Sequence, residues 1–180
     1  MTTMRFAKAL SAAALLALAG LPAAAQGQAA PDDLAALKTQ LLQLRVNPYP
    51  PPRERAAQIL VAVVRRMDVS VIDKATIDEI AGLLEDNSDA VRGRMAIALG
   101  NIGPAAKHAV PALEKAFVRA KEYIGASQNS PQPTTGYRNY GLGTSADSIC
   151  FALMRLEAAV PPGCRDGRYE PSPPADGTIN

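Results

Sequence analysis

The chain has 180 residues, 48% of them hydrophobic, with 19 Lys+Arg against 17 Asp+Glu and two cysteines. That length supports one domain with a real core and is short for two, and a net charge of +2 is too weak to imply nucleic acid or a membrane surface as partner. Only 4% of residues are aromatic, Trp is absent and there is one His, a composition that argues against a metalloenzyme or cofactor enzyme, so no cofactor is expected.

Residues 1–25 read as a secretory signal peptide. Arg5 and Lys8 supply the basic start, an apolar run follows from Ala9 to Leu21, and Ala23-Ala24-Ala25 forms a small-residue cleavage site before Gln26. The run is short of the ~20 residues a membrane span needs. No Cys lies near the cleavage point to take a lipid, and no later stretch is a span candidate. The expectation is a periplasmic or secreted protein without a membrane span in its mature chain. Losing Arg5 and Lys8 leaves 17 basic residues against 17 acidic ones, so the mature domain is formally neutral.

The rest of the chain carries apolar residues at helical spacing, and six helices are predicted over 32–45, 53–67, 76–85, 88–102, 105–123 and 145–159. Asp32 caps the first, whose apolar face is Leu34, Leu37, Leu41 and Leu42, with Leu44 a further candidate. It stops before the proline cluster at 48–52, because a residue preceding proline is driven out of the α region. Ile59, Leu60, Val63, Val64 and Met67 line the second. Thr76 and Glu79 match a capping box for the third, which buries Ile77, Ile80, Leu83 and Leu84. Ser88 or Asn87 caps the fourth, with Val91, Met95, Ala98, Leu99 and Ile102 inward. Gly103 suits its C-terminal cap and Pro104 the start of the fifth helix. Thr144 and Asp147 cap the sixth, with Ile149, Leu153, Leu156 and Val160 inward. No segment alternates in the period-two manner of a strand, so the fold class is all-α.

The helices repeat as pairs. Arg92-x-Arg94 with Leu99 and Ile102 aligns with Arg53-x-Arg55 with Leu60 and Val63 at an offset of 39. Met95, Ala98, Leu99 and Ile102 align with Ile149, Ala152, Leu153 and Leu156 at an offset of 54. Helix pairs at such a period are the mark of an α-solenoid. The stretch from Leu83 through Asp86, Asn87, Val91 and Arg92, then Ala96 to Gly103, then Ala109 to Leu113, resembles HEAT repeats. It is most similar to the bacterial HEAT-like group that includes phycobilisome lyase subunits, and the likeness is strongest over 77–117. The resemblance implies a short right-handed solenoid of about three antiparallel helix pairs over residues 26–160. It also implies that Asp86 in the turn and Arg92 after Val91 form a structural cross-brace. The third pair departs from the pattern, since a long loop at 125–144 replaces the turn.

Chemistry is sparse. His108 stands beside Lys107 and Ala109 without a ligand spacing such as H-x-x-H, and reads as a surface or turn histidine, so no metal site is expected. Cys150 and Cys164 have neither metal nor redox spacing, and in an exported chain they read as a disulfide. A helix from Cys150 to Ala159 climbs roughly 14 Å, and five extended residues return about 16 Å. In the loop, Tyr137, Arg138, Asn139 and Tyr140 place two aromatics and a guanidinium between glycines, a composition suited to binding and equally to a mobile insertion whose tyrosines rest on the helices. Residues 161–180 are rich in Pro, Gly and Asp and are expected to be a flexible tail.

No nucleophile, acid–base pair or ligand cluster is discernible, so the expected function is non-catalytic. The leading reading is an exported HEAT-like binding or scaffold protein of the bacterial envelope that engages another protein, not nucleic acid. Its contacts would run along the concave face of the second helices, including exposed members of Arg53 to Met67 and Arg92 to Asn101, joined by the Tyr137–Tyr140 loop. The alternatives are a lyase-type or chromophore-handling factor and a purely structural envelope protein.

Overall fold

A computed structural model describes residues 31–129 and 144–169. These form six α-helices and one two-stranded antiparallel hairpin. The helices are α1 (Pro31–Val46), α2 (Pro50–Arg66), α3 (Lys74–Gly82), α4 (Asp89–Ile102), α5 (Val110–Asn129) and α6 (Ser145–Arg155). The hairpin strands are β1 (Cys164–Arg165) and β2 (Arg168–Tyr169). The signal segment lies outside the described residues.

Several helix ends differ from the sequence expectation, each for a local reason. α2 begins at Pro50, three residues early. Prolines are tolerated in a first turn because the N–H groups they lack have no partner within the helix there. α3 begins at Lys74 because Asp73, not Thr76, is its cap: Asp73 Oδ1 accepts from the Thr76 N–H at 2.7 Å. It ends in a 3₁₀ turn, Leu83–Glu85. The expected helix at 105–123 opens instead as a 3₁₀ segment, Gly103–Ala109, and becomes α-helical at Val110. Pro111 cannot donate to the Lys107 carbonyl, so the turn before it tightens. α5 then continues to Asn129, into the segment expected to be loop.

α6 stops at Arg155 rather than 159. Glu157 takes a left-handed conformation (φ 54°), its N–H meets the Met154 carbonyl at 3.1 Å, and the Ala158 N–H reaches back to Leu153 at 3.0 Å. This is a Schellman stop with a glutamate where glycine is usual. The flexible tail expected over 161–180 is also corrected in its first part. Asp166 (φ 50°) and Gly167 (φ 74°) form the two-residue turn of the hairpin, pairing Cys164 with Tyr169 and Arg165 with Arg168. Positive φ at both turn positions is what an Asp-Gly pair supplies in a type I′ turn.

The packing is built around α4, which lies between α2 on one side and α6 on the other. α1 packs on α2, α3 on α4, and α5 on α6. α2, α4 and α6 therefore lie in that order, and each carries one of α1, α3 and α5 against it. The core between them is aliphatic: Leu37, Leu60, Ile77, Ile80, Leu84, Met95, Leu99, Leu113, Ile149, Leu153 and Leu156 are all fully buried. Where α4 meets α6 the backbones approach closely through Gly93 and Gly100, which face Ser145, Ser148 and Ala152. A Cβ at Gly100 would lie 3.0 Å from the Ala152 Cα and 3.1 Å from the Phe151 ring. Glycine is required there by space, not by backbone angle.

Candidate functional site

The first turns of the second helices are joined by a polar brace. The Asp86 carboxylate takes the Arg53 guanidinium at 3.0 Å and the Ser88 N–H at 2.7 Å. Arg92, 3% exposed, donates to the Asp86 and Asn87 carbonyls at 2.8 and 3.2 Å and to Asp89 Oδ1 at 2.7 Å. Asp89 in turn accepts from the Ser145 N–H at 3.1 Å and from the Ser145 hydroxyl, linking α4 to the start of α6. Ser88 Oγ donates to Glu54 at 2.7 Å and links α4 to α2. Asp86 and Arg92 thus share one brace, but Arg92 holds the aspartate's backbone carbonyl while its carboxylate holds Arg53. A buried cation with several acceptors fixes geometry and offers no reactive group.

His108 lies in the 3₁₀ segment on the outer side, with Nε2 2.8 Å from Asp78 Oδ1. Lys74 meets the other oxygen of Asp78 at 2.6 Å. The Lys74 contact, then burial acting in the opposite direction, then the His108 bond leave the Asp78 carboxyl below the ordinary aspartate range. Among the described residues no group of three His, Cys, Asp or Glu side chains is placed to hold a metal ion. Among them, too, no helix is long and apolar enough to cross a membrane.

Cys150 and Cys164 form a disulfide with Cα atoms 5.5 Å apart. The route differs from the one expected: α6 ends five residues past Cys150, and a turn closed by the Cys164 N–H on the Pro161 carbonyl (3.1 Å) completes the return. Three further contacts hold the hairpin down. The Tyr169 N–H donates to Asp147 Oδ1 at 2.8 Å, the Tyr169 ring meets Phe117 of α5 edge-on at 5.6 Å, and Gly167 lies against Met154 and the Phe151 backbone. Asp147 is also the capping-box residue, accepting from the Thr144 N–H at 2.7 Å. One carboxylate therefore starts α6 and anchors the hairpin. The Asp-Gly turn at 166–167 was the signal in the sequence for this element, and tail composition obscured it.

The remaining surface of interest is the side of α2, α4 and α6 turned away from α1, α3 and α5. On α4 the stripe is half-buried Ala90, Arg94 and Asn101 with buried Ile97 between them, spaced by four, three and four residues. The 39-residue offset carries this stripe onto Pro51, Arg55, Gln58 and Ala62 of α2, all exposed. On α6 the matching positions include half-buried Phe151 and exposed Arg155. Arg94 Nε and Asn101 Nδ2 are buried without a hydrogen-bond acceptor. Sequence reasoning placed contacts on these helices without isolating the stripe, although the Arg53-x-Arg55 and Arg92-x-Arg94 alignment contained it. Tyr137, Arg138, Asn139 and Tyr140 lie outside the described residues. Comparison with protein-family models, with curated proteins and with solved structures found no match for this chain.

Proposed function

We propose that this chain is an exported, non-catalytic binding module, a short right-handed HEAT-like solenoid that engages another protein in the bacterial envelope. The observation that carries the reading is the side-by-side arrangement of α2, α4 and α6. It leaves a face that carries exposed Arg55, Gln58 and Ala62 and half-buried Arg94 and Asn101. Helical-repeat proteins use such a face for extended contacts. The disulfide supports an oxidising location, periplasmic or secreted, with cleavage before Gln26.

The test is chemical crosslinking of the exported protein in native envelope extract, followed by mass spectrometry. Gln58→Trp and Ala62→Trp place bulk on exposed positions of the face and leave the core untouched. Loss of a specific crosslinked partner in these variants is expected. A partner profile unchanged by both, and unchanged on deleting residues 127–142, overturns the binding role of both face and loop. N-terminal sequencing of the exported protein should begin at Gln26.

A further inference from the structure

The two sulfurs of the disulfide lie in different surroundings. Cys150 is fully buried in the middle of α6, between Ile149 and Leu153 of the core. Cys164, at the start of the hairpin, is only half-buried. A thiolate must touch the sulfur it attacks, so in the folded chain an incoming thiol has access to Cys164 and not to Cys150. The hairpin itself has little besides this bond to hold its shape. Each strand is two residues long, and a two-stranded ribbon is marginal in water. Exposed Arg165 and Arg168 pair directly across the strands, and like charges so placed weaken a ribbon. The helices, by contrast, have their own fastenings. α6 meets α4 through Gly93 and Gly100, Thr144 and Asp147 cap its first turn, and the Ala158 N–H on the Leu153 carbonyl closes its last.

We infer that Cys164 is the exchange sulfur of this bond, the site at which a cysteine-pair oxidoreductase opens and makes it, and that opening frees residues 161–169 while the helices stay folded. The class of partner rests on the exported location proposed above; the order of the sulfurs does not. In the opening direction a thiolate of the reductant attacks Cys164 Sγ. A bond forms between the reductant's sulfur and Cys164, the Cys150–Cys164 bond breaks, and its electron pair leaves on Cys150 Sγ, which takes a proton. The reductant's second thiolate then attacks its own first sulfur and expels the Cys164 thiolate, which is protonated in turn. Two electrons pass to this chain, and the reductant's dithiol becomes a disulfide. Closing retraces the path: the Cys164 thiolate attacks the oxidant's disulfide, and Cys150 resolves the mixed bond. Release also withdraws the Tyr169 ring from Phe117, which is 3% exposed beneath it, and so uncovers an aromatic on α5.

The test uses the purified exported chain and a thioredoxin-type reductant whose second cysteine is serine, which halts exchange at the mixed bond. Peptide mass spectrometry should find the reductant's cysteine joined to Cys164. A bond to Cys150, no bond at all, or one formed only in denaturing urea overturns the inference. After reduction by a phosphine, a pulse of iodoacetamide should label Cys164 at least about tenfold faster than Cys150. Deuterium exchange should rise over residues 164–169 while α4 and α6 keep their protection. Equal labelling rates, unchanged exchange in the hairpin, or loss of helical circular dichroism on reduction each overturn it. If exchange enters at Cys164 but the protein in the cell does not begin at Gln26, the order of the sulfurs stands and the exported partner falls.

Discussion

Gly100→Ala and Gly82→Ala are the same chemical change with opposite expected signs. In a helix interior, alanine is favoured over glycine by about 1 kcal/mol, since it has less backbone freedom to lose. Gly82 is exposed at the end of α3 with helical angles (φ −59°, ψ −30°), and nothing lies within 4 Å of an added Cβ. There the intrinsic preference acts alone, and Gly82→Ala should stabilise by roughly 0.5–1 kcal/mol. At Gly100 the new Cβ would stand 3.0 Å from a backbone atom of α6. That is several tenths of an ångström inside ordinary contact at 3.5–4.0 Å. A backbone atom has no rotamer through which to retreat, and α6 is held on its far side by the disulfide and Asp147. Overpacking costs of about 1–3 kcal/mol outweigh the helix preference, for a net loss of about 1–2 kcal/mol. Urea denaturation at 25 °C, with slopes compared to confirm a common unfolding transition, measures both. A Gly100→Ala protein as stable as the parent would show that α4 and α6 are not in tight register, and the packing argument would fail.

The Cys150→Ala/Cys164→Ala protein should lose about 3 kcal/mol, the stabilisation expected from closing a loop of this length. Alkylation of two free thiols in the native parent protein would refute the pairing. Stability should be level from neutral pH down to about 5 and decline below about 4, where carboxylates titrate. Asp68 is lowered mainly by the Ser70 N–H, Asp73 by its Thr76 bonds, Asp78 by Lys74, and Glu85 by Lys115. With folded values below unfolded ones, the unfolded chain binds more protons in that window, so acidification removes stability; urea midpoints that hold steady to pH 3 would contradict this. Glu157→Gly should stabilise by about 0.5 kcal/mol, because relief of the left-handed residue (φ 54°) exceeds the added chain entropy. Thermal melts of the two proteins decide it.

Much of the helical layout was legible because aliphatic periodicity dominates this chain. Val91, Met95, Leu99 and Ile102 announced α4, and the same pattern marked α6. Ends were harder, since one residue type serves two roles. Prolines 50–52 read as a break and act as a first turn, while Thr76 reads as a cap and is a buried residue beneath the real cap, Asp73. The Cys150–Cys164 pairing was legible from the export signal, the cysteine spacing and reach, but its path was not, since a left-handed glutamate carries no propensity signal. The close approach through Gly93 and Gly100 was hidden for another reason. A periodic pattern shows which face of a helix is apolar, not which neighbour comes nearest. The stripe along α2 and α4 was legible only as an alignment at the 39-residue offset, and the burial of Ile97 within it is a property of three-dimensional placement.

Having two cysteines, the chain admits only one intramolecular pairing, so oxidation has no incorrect intrachain isomer from which to be rescued. The two thiols are also close in sequence, 14 positions apart, and both belong to the last third of the chain. The link therefore closes only once Cys164 has been delivered, when every helix among the described residues has already been made. It works as a late lock on a nearly finished domain, and an oxidant arriving early finds no competing partner for Cys150 within the same molecule.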